Sequence, residues 1–148
     1  ATTKMNVSKF LEDLIEEGVE TFTNIKFLSD IQSGVYWYCD EALIVQLIHN
    51  LYANAIKYNK VDGWIQIDLH QTKTNITLKI ANSTEALSEE LNARAFERFY
   101  RGNFSHSRQA DGQGLGLSIA LEIAKAHKAN LSIQAEHQRV VLILDIAV

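Results

Sequence analysis

Apolar residues recur every three to four positions in two long segments of this chain, which is the spacing of an amphipathic helix. The first segment predicts a helix from Lys9 to about Thr23, with Ser8 as its N-cap residue. The second predicts a longer helix that follows Asp40 and ends near Asn59. The residues expected on the core side of these two helices are Phe10, Leu11, Leu14, Ile15, Val19, Phe22, Leu43, Ile44, Leu47, Ile48 and Leu51.

Most of the remaining apolar segments are short, either rich in β-forming residues or alternating with polar residues, and they predict strands. These segments are Lys4–Val7, Ile25–Ile31, Val35–Cys39, Trp64–His70, Ile76–Ala81, Leu131–Ala135 and Val140–Val148. The order of the elements is neither a strict alternation of strands and helices nor all strands. We therefore expect an α+β fold, a two-layer sandwich in which three main helices cover one face of a mixed sheet of about five strands.

Three glycines at alternate positions, Gly112, Gly114 and Gly116, precede an apolar segment from Ile119 to His127. We expect a glycine-rich loop that leads into a largely buried helix, whose polar stripe consists of Ser118, Glu122, Lys125 and Lys128. Such a helix start suits a phosphate, because its unpaired NH groups and the helix dipole both favour an anion. A plain turn or a close helix contact explains the glycines equally well, so this motif alone leaves both interpretations open.

The second predicted helix carries an unusual polar face. Its residues Gln46, Asn50, Asn54 and Lys57 fall within about 80° of one another on a helical projection. An exposed stripe is the simpler interpretation, but such stripes normally consist of Glu, Lys and Arg. Asparagine is a poor helix former, so its presence twice indicates that its side-chain oxygen has a function.

Composition limits the remaining possibilities. The length of 148 residues and the hydrophobic content of 47% predict one globular domain. The net charge of −4 provides no basic surface for nucleic acid. Cys39 is the only cysteine, which excludes an internal disulfide and fits a reducing compartment. No apolar run is long enough to span a membrane, and the N-terminus, Ala1, indicates a fragment of a longer protein.

Three segments together resemble the catalytic, ATP-binding domain of sensor histidine kinases, within the group that includes gyrase, the Hsp90 chaperones and the mismatch-repair ATPases. Asn50–Tyr58 resembles the N box of this family, Phe96–Arg101 its F box and Asp111–Gly116 its second glycine box. The resemblance covers nearly the whole chain. It implies the Bergerat-type fold, with a nucleotide between the long helix and a lid. The residues themselves predict a short helix over Glu89–Arg94 and, in the polar segment Gly102–Asp111, a mobile loop over the glycine motif.

The resemblance also implies roles for individual residues. Asn54 would bind Mg²⁺, Asn50 would help to hold the metal and the phosphates, and Lys57 would offset phosphate charge. Tyr58 would form one wall of the nucleoside site. Backbone NH groups would reach the phosphates from Gly112, Gly114, Leu115 and Gly116. Two arginines, Arg98 and Arg101, would either approach the terminal phosphate or stabilise the base of the lid.

One segment departs from the family pattern. The family usually has Asp-x-Gly-x-Gly where this chain has Asn82-Ser83-Thr84-Glu85-Ala86. Asn82 can still accept a hydrogen bond from the adenine amino group, but without the charge that strengthens such a bond. Thr84 and Ala86 also restrict the backbone where the family has glycine. We therefore expect weakened adenine binding.

The function implied by the resemblance is transfer of the ATP γ-phosphoryl group to a histidine on a separate dimerisation domain of the same protein, and from there to a response-regulator receiver domain. ATP and Mg²⁺ are the expected cofactors. A degenerate nucleotide-binding module without kinase activity is the alternative, and an anti-sigma serine kinase is a third possibility. We expect this chain to be a monomeric, cytoplasmic fragment of a longer bacterial protein. We expect that longer protein to be a homodimer, and an inner-membrane anchor outside this fragment is compatible with it.

Overall fold

The computed structural model describes residues 1–85 and 112–148. Seven strands and three helices are formed by these residues. In chain order they are β1 (Thr3–Asn6), α1 (Val7–Thr21), β2 (Lys26–Ile31), β3 (Tyr36–Cys39), α2 (Glu41–Lys57), β4 (Trp64–Gln71), β5 (Asn75–Ser83), α3 (Gly112–Ala126), β6 (Asn130–Glu136) and β7 (Arg139–Ala147). The predicted short helix Glu89–Arg94 and the polar segment Gly102–Asp111 lie outside the described residues.

The main sheet is mixed, as predicted from the order of the elements. Its five strands have the order β2-β4-β5-β7-β6. The β2–β4 pair is parallel, and the other neighbouring pairs are antiparallel. A separate two-stranded sheet is formed by β1 and β3, which pair antiparallel.

One face of the main sheet is buried under the helices. Along β4 the buried residues alternate with partly exposed ones, and Ile65, Ile67 and Leu69 form the buried row. Helix α1 packs against β2, α2 against β5 and α3 against β6. The hydrophobic core therefore lies between a helical layer and a sheet, which confirms the predicted two-layer α+β sandwich.

The start of α1 differs from the sequence prediction. Asn6, and not Ser8, is the N-cap residue, because its side chain accepts a hydrogen bond from the NH of Lys9. The Ser8 hydroxyl instead donates to the carbonyl of Gln32 at 2.7 Å and accepts from the NH of Val35 at 2.9 Å. Ser8 is buried, and its tertiary partners explain why it does not cap the helix.

Two residues predicted to face the core do not. Val19 is 53% exposed and Leu43 is 37% exposed. In α1 the neighbouring Gly18 occupies the buried position, where a side chain would collide with Tyr52 and Phe27. This close approach of α1 to its neighbours turns Val19 towards solvent.

The third helix begins earlier than predicted. We expected a loop across the three glycines, whereas α3 is helical from Gly112 onward. Glycine permits turn conformations but does not exclude a helix, which it destabilises by about 1 kcal/mol relative to alanine. The buried residues Leu117, Ala120, Ile123 and Ala124 confirm that much of this helix is in the core. Over the two described ranges, the helices are too short or too polar to cross a membrane.

Candidate nucleotide and metal site

The candidate site begins with the C-terminal half of α2. This helix starts at the predicted cap, where the Asp40 side chain accepts a hydrogen bond from the NH of Leu43. Along its polar face, Gln46 is exposed and Asn50 is half-buried, but Asn54 is only 4% exposed. An ordinary solvated stripe would leave Asn54 in water. Its burial therefore argues against the simpler interpretation of this face.

The side-chain oxygen of Asn54 is the distinctive atom of this region. The amide nitrogen of Asn54 donates to the carbonyl of Asn50 at 2.8 Å. Its Oδ1 atom is buried and has no hydrogen-bond partner among the residues that the structure describes. A buried acceptor without a donor destabilises a fold by about 1–3 kcal/mol. Such an atom is expected where a ligand or a cation completes the site.

Helix α3 lies alongside this part of α2. The NH of Asp40, at the start of α2, donates to Nε2 of His127, which directly follows α3, at 3.2 Å. Because the two helices also pack against each other, they run antiparallel. Asn54 lies about 21 Å along α2 from Asp40, and Gly114 lies about 20 Å along α3 from His127. The start of α3 is therefore level with Asn54.

Asn82 lies at the end of β5 on the helix side of the sheet. It continues the buried row formed by Ile76, Leu78 and Ile80, and it is 2% exposed. Its amide nitrogen donates to the carbonyl of Ser83 at 2.8 Å. Because that carbonyl can only accept, the amide nitrogen must face it and Oδ1 must point elsewhere. Asn82 therefore keeps its Oδ1 atom as an acceptor on the helix side of the sheet.

A closed hydrogen-bond network supports this end of β5. Asn59, just after α2, donates through Nδ2 to the carbonyls of Ala55 and Trp64 at 3.3 and 3.0 Å. Its Oδ1 accepts from the NH of Lys60 and from the hydroxyl of Ser83. The Ser83 hydroxyl in turn accepts from the NH of Trp64 at 2.8 Å. The network joins the end of α2, the start of β4 and the end of β5.

Sequence reasoning missed Asn59 and Ser83. They are 24 positions apart, so no helical or strand period relates them. Gly63 is a partial signal, because a side chain at this position would collide with both Asn59 and Ser83. A glycine in the short turn between a predicted helix and a predicted strand indicates close packing, but it does not identify the partners.

The remaining predicted site residues are distributed as follows. Lys57 is exposed at the last position of α2, whereas the Tyr58 side chain is half-buried and packs against the core. The glycines are the first, third and fifth residues of α3. Leu115 is the fourth residue of α3 and lies between Gly114 and Gly116 in the sequence. Arg98 and Arg101 lie outside the described residues.

Comparison with known proteins identifies the family of this chain. Over residues 39–147 the sequence matches the family described as histidine kinase-, DNA gyrase B-, and HSP90-like ATPase. It is 33% identical over 132 residues to the sensor histidine kinase RppB of Synechocystis sp., covering 87% of this chain and 29% of RppB. It is 31% identical over 139 residues to the heme sensor protein HssS of Staphylococcus aureus, covering 93% of this chain and 29% of HssS. The chain thus spans less than a third of the length of these relatives.

The fold has solved counterparts. The catalytic domain of the histidine kinase ThkA, in a nucleotide-free form, superposes with a TM-score of 0.79 at 25% identity, covering 99% of this chain and 95% of that domain. Full-length ShkA in complex with AMPPNP superposes with a TM-score of 0.75 at 19% identity, covering 99% of this chain and 31% of ShkA. The chain therefore belongs to the family of histidine kinase-, DNA gyrase B- and HSP90-like ATPases, and its fold is that of a histidine kinase catalytic domain.

Proposed function

We propose that this chain is the ATP-binding catalytic domain of a two-component sensor histidine kinase. In this proposal it transfers the γ-phosphoryl group of Mg²⁺-bound ATP to a histidine on a separate dimerisation domain of the same protein. Its family and the names of its relatives support a kinase. The observation that carries the proposal is the buried Oδ1 of Asn54, which has no partner in the described part of the chain.

Asn54 has the chemistry that a magnesium ligand requires. An amide oxygen is a hard donor, and Mg²⁺ accepts one or two such protein ligands while it keeps several waters. Asn50, one turn earlier on the same face, is the proposed second polar group at the metal. When bound, Mg²⁺ would neutralise charge on the triphosphate. The residues present therefore fit this ion.

The start of α3 is the proposed phosphate site. The first four NH groups of an α-helix have no partner within the helix, and the helix dipole adds partial positive charge there. In α3 these groups belong to residues 112–115, and Gly116 follows directly. Lys57, at the end of the antiparallel α2, would supply a full positive charge. We further propose that Arg98 or Arg101 approaches the γ-phosphate.

Asn82 is the proposed adenine-selecting residue, with Tyr58 as a neighbouring wall. Because the Ser83 carbonyl orients the Asn82 amide, Oδ1 is available to accept from the amino group of adenine. A guanine would present a carbonyl oxygen to this acceptor, which is repulsive. We therefore expect Mg²⁺-ATP to bind at least about tenfold more tightly than Mg²⁺-GTP, as measured by competition titration.

The nature of Asn50 favours transfer over hydrolysis. In relatives that hydrolyse ATP, a glutamate one turn before the metal asparagine activates water. An amide such as that of Asn50 cannot act as a general base. Slow hydrolysis and transfer to a protein side chain are the expected outcome.

Calorimetric titration with a non-hydrolysable ATP analogue, with and without Mg²⁺, tests the proposal. We expect Mg²⁺ to increase the affinity of the wild type by about tenfold or more, and to have little effect on Asn54→Ala. Gln46→Ala is the matched control, because Gln46 lies on the same helical face but is exposed. An unchanged response to Mg²⁺ in Asn54→Ala would exclude Asn54 as the metal ligand.

The degenerate module without kinase activity remains the second candidate. The uncharged Asn82, together with Thr84 and Ala86 in place of glycine, favours it. Incubation with a purified dimerisation domain and labelled ATP separates the possibilities. An acid-labile, base-stable label on the dimerisation domain supports the histidine kinase. Absence of label with intact nucleotide binding supports the degenerate module, and an acid-stable label indicates a serine kinase.

The proposed partners follow from the same reaction. A response-regulator receiver domain would accept the phosphoryl group from the histidine, and the structure of ThkA with the response regulator TrrA provides a precedent in that protein. We propose a cytoplasmic, monomeric domain, a homodimeric parent and a membrane anchor elsewhere in that parent. Light scattering of this chain with and without the purified dimerisation domain tests the oligomeric state.

A further inference from the structure

His127 connects two elements that are distant in the sequence. Its Nε2 lies 3.2 Å from the backbone nitrogen of Asp40, across a separation of 87 residues. Its Nδ1 lies 2.9 Å from the carbonyl oxygen of Ile123 in α3. The ring also lies against Trp37 in a T-shaped arrangement, with the ring centroids 5.6 Å apart. The imidazole is therefore held by α3 and by the start of α2 simultaneously.

These contacts require one form of the histidine. A backbone NH can only donate, so Nε2 of His127 must accept from Asp40 and cannot carry a proton. Nδ1 must then carry the proton and donate to the carbonyl of Ile123. The neutral Nδ1–H tautomer is the form that satisfies both neighbours.

The bond between His127 and Asp40 links the C-terminal end of α3 to the start of α2. Asp40 caps α2 through its side chain, while its NH is held by His127. Because the two helices are antiparallel rods, a shift at this end changes the position of the opposite end of α3 relative to α2. That opposite end, about 20 Å away, contains the glycines and lies level with Asn54.

We propose that His127 is a positioning residue for phosphate and metal binding, which acts through the NH of Asp40 and does not touch the nucleotide. This inference depends on the proposed nucleotide site between α2 and α3. It predicts that loss of the bond to Asp40 weakens the binding of the phosphates, which depends on α3, and leaves the binding of the nucleoside through Asn82 on β5 unchanged.

The pair His127→Gln and His127→Asn tests this role. Glutamine is long enough to offer an oxygen to the NH of Asp40, whereas asparagine is one methylene shorter and can reach only the carbonyl of Ile123. Both are uncharged amides, and position 127 follows the last residue of α3, so helix propensity affects the comparison little. In the Asn variant we expect the amide hydrogen of Asp40 to exchange about tenfold faster than in the Gln variant.

Binding of Mg²⁺-ADP and of adenosine provides the functional measurement. We expect the Gln variant to remain within about twofold of the wild type for both ligands. In the Asn variant we expect a loss of about fivefold for Mg²⁺-ADP and none for adenosine. Nitrogen NMR of the wild-type imidazole gives a test without any variant, because it distinguishes a proton on Nδ1 from one on Nε2.

Three results would overturn the inference. They are a proton on Nε2 in the wild type, equal exchange at Asp40 in the two variants, and an equal ratio of Mg²⁺-ADP to adenosine affinity in the two variants. If the wild type binds no Mg²⁺-ADP, the proposed function fails and the role of His127 in binding fails with it. If the wild type binds normally and the variants do not differ, only the inference about His127 fails.

Discussion

Two asparagines five residues apart at the end of the same helix have opposite environments. The amide nitrogen of Asn59 donates to two carbonyls, and its amide oxygen accepts from an NH and from a hydroxyl. Asn54 uses only its nitrogen, and its buried oxygen has no partner in the described ranges. The contrast shows that the region around α2 is well satisfied in general, so the unsatisfied oxygen of Asn54 is a local feature. Buried polar atoms left open in a satisfied surrounding are expected at binding sites.

The largest expected effect on stability comes from disrupting the hydrogen-bond network around Asn59. Asn59→Leu would remove the amide, so that the Ser83 hydroxyl and the carbonyl of Trp64 each lose one hydrogen bond. We expect the free energy of unfolding to fall by about 3 kcal/mol, measured by urea denaturation. A loss below about 0.5 kcal/mol would show that water replaces these contacts and that the network contributes little.

A smaller loss is expected from crowding the same network. Gly63→Ala would place a methyl group against Asn59 and Ser83, at an expected cost of about 2 kcal/mol in unfolding free energy. Gly34→Ala is the matched control, because Gly34 has a φ of +74° but no neighbour near the new methyl group. Backbone strain alone would then cost about 1 kcal/mol. Equal losses of unfolding free energy in the two variants would indicate that the Asn59 and Ser83 side chains move away from the new methyl group at position 63.

Replacement by leucine should stabilise the protein at Asn54, whereas it should destabilise the protein at Asn59. Asn54→Leu removes a buried oxygen without a partner, so we expect the free energy of unfolding of the nucleotide-free protein to rise by about 1 kcal/mol. The effect of Mg²⁺ on nucleotide binding should be lost in the same variant. Destabilisation comparable to that of Asn59→Leu would contradict the contrast between the two asparagines.

The smallest effect is expected at Cys39, whose thiol is buried. Burial and the nearby charges of Glu41 and Asp40 raise the pKa of the Cys39 thiol to about 11, from 9.0. The unfolded chain therefore loses this proton first, so the contribution of Cys39 to stability is complete below pH 9 and declines as the pH rises from 9 to 11. Cys39→Ala should lack this decline. A native thiol that reacts readily with a disulfide reagent at neutral pH would contradict its burial.

The structure also shows where local sequence rules were sufficient. Asp40 caps α2 as predicted, because a cap is a contact between residues three positions apart. The same rule was wrong for Ser8, whose hydroxyl bonds to Gln32 and Val35, more than twenty positions away. The resemblance indicated Asn54 and Asn82, whereas the network of Asn59 and Ser83 left no local pattern.

The amino-acid sequence by itself predicted most of the extent of the helices, the strands and the mixed two-layer architecture, because period and turn chemistry act over a few positions. Only the tertiary structure decided which of those residues are buried and which of their atoms remain open. The burial of Asn54, the orientation of the Asn82 amide and the contact of His127 with Asp40 all depend on elements packed together from distant parts of the chain. Long-range packing has no period in the sequence, and it therefore becomes visible only in the folded molecule.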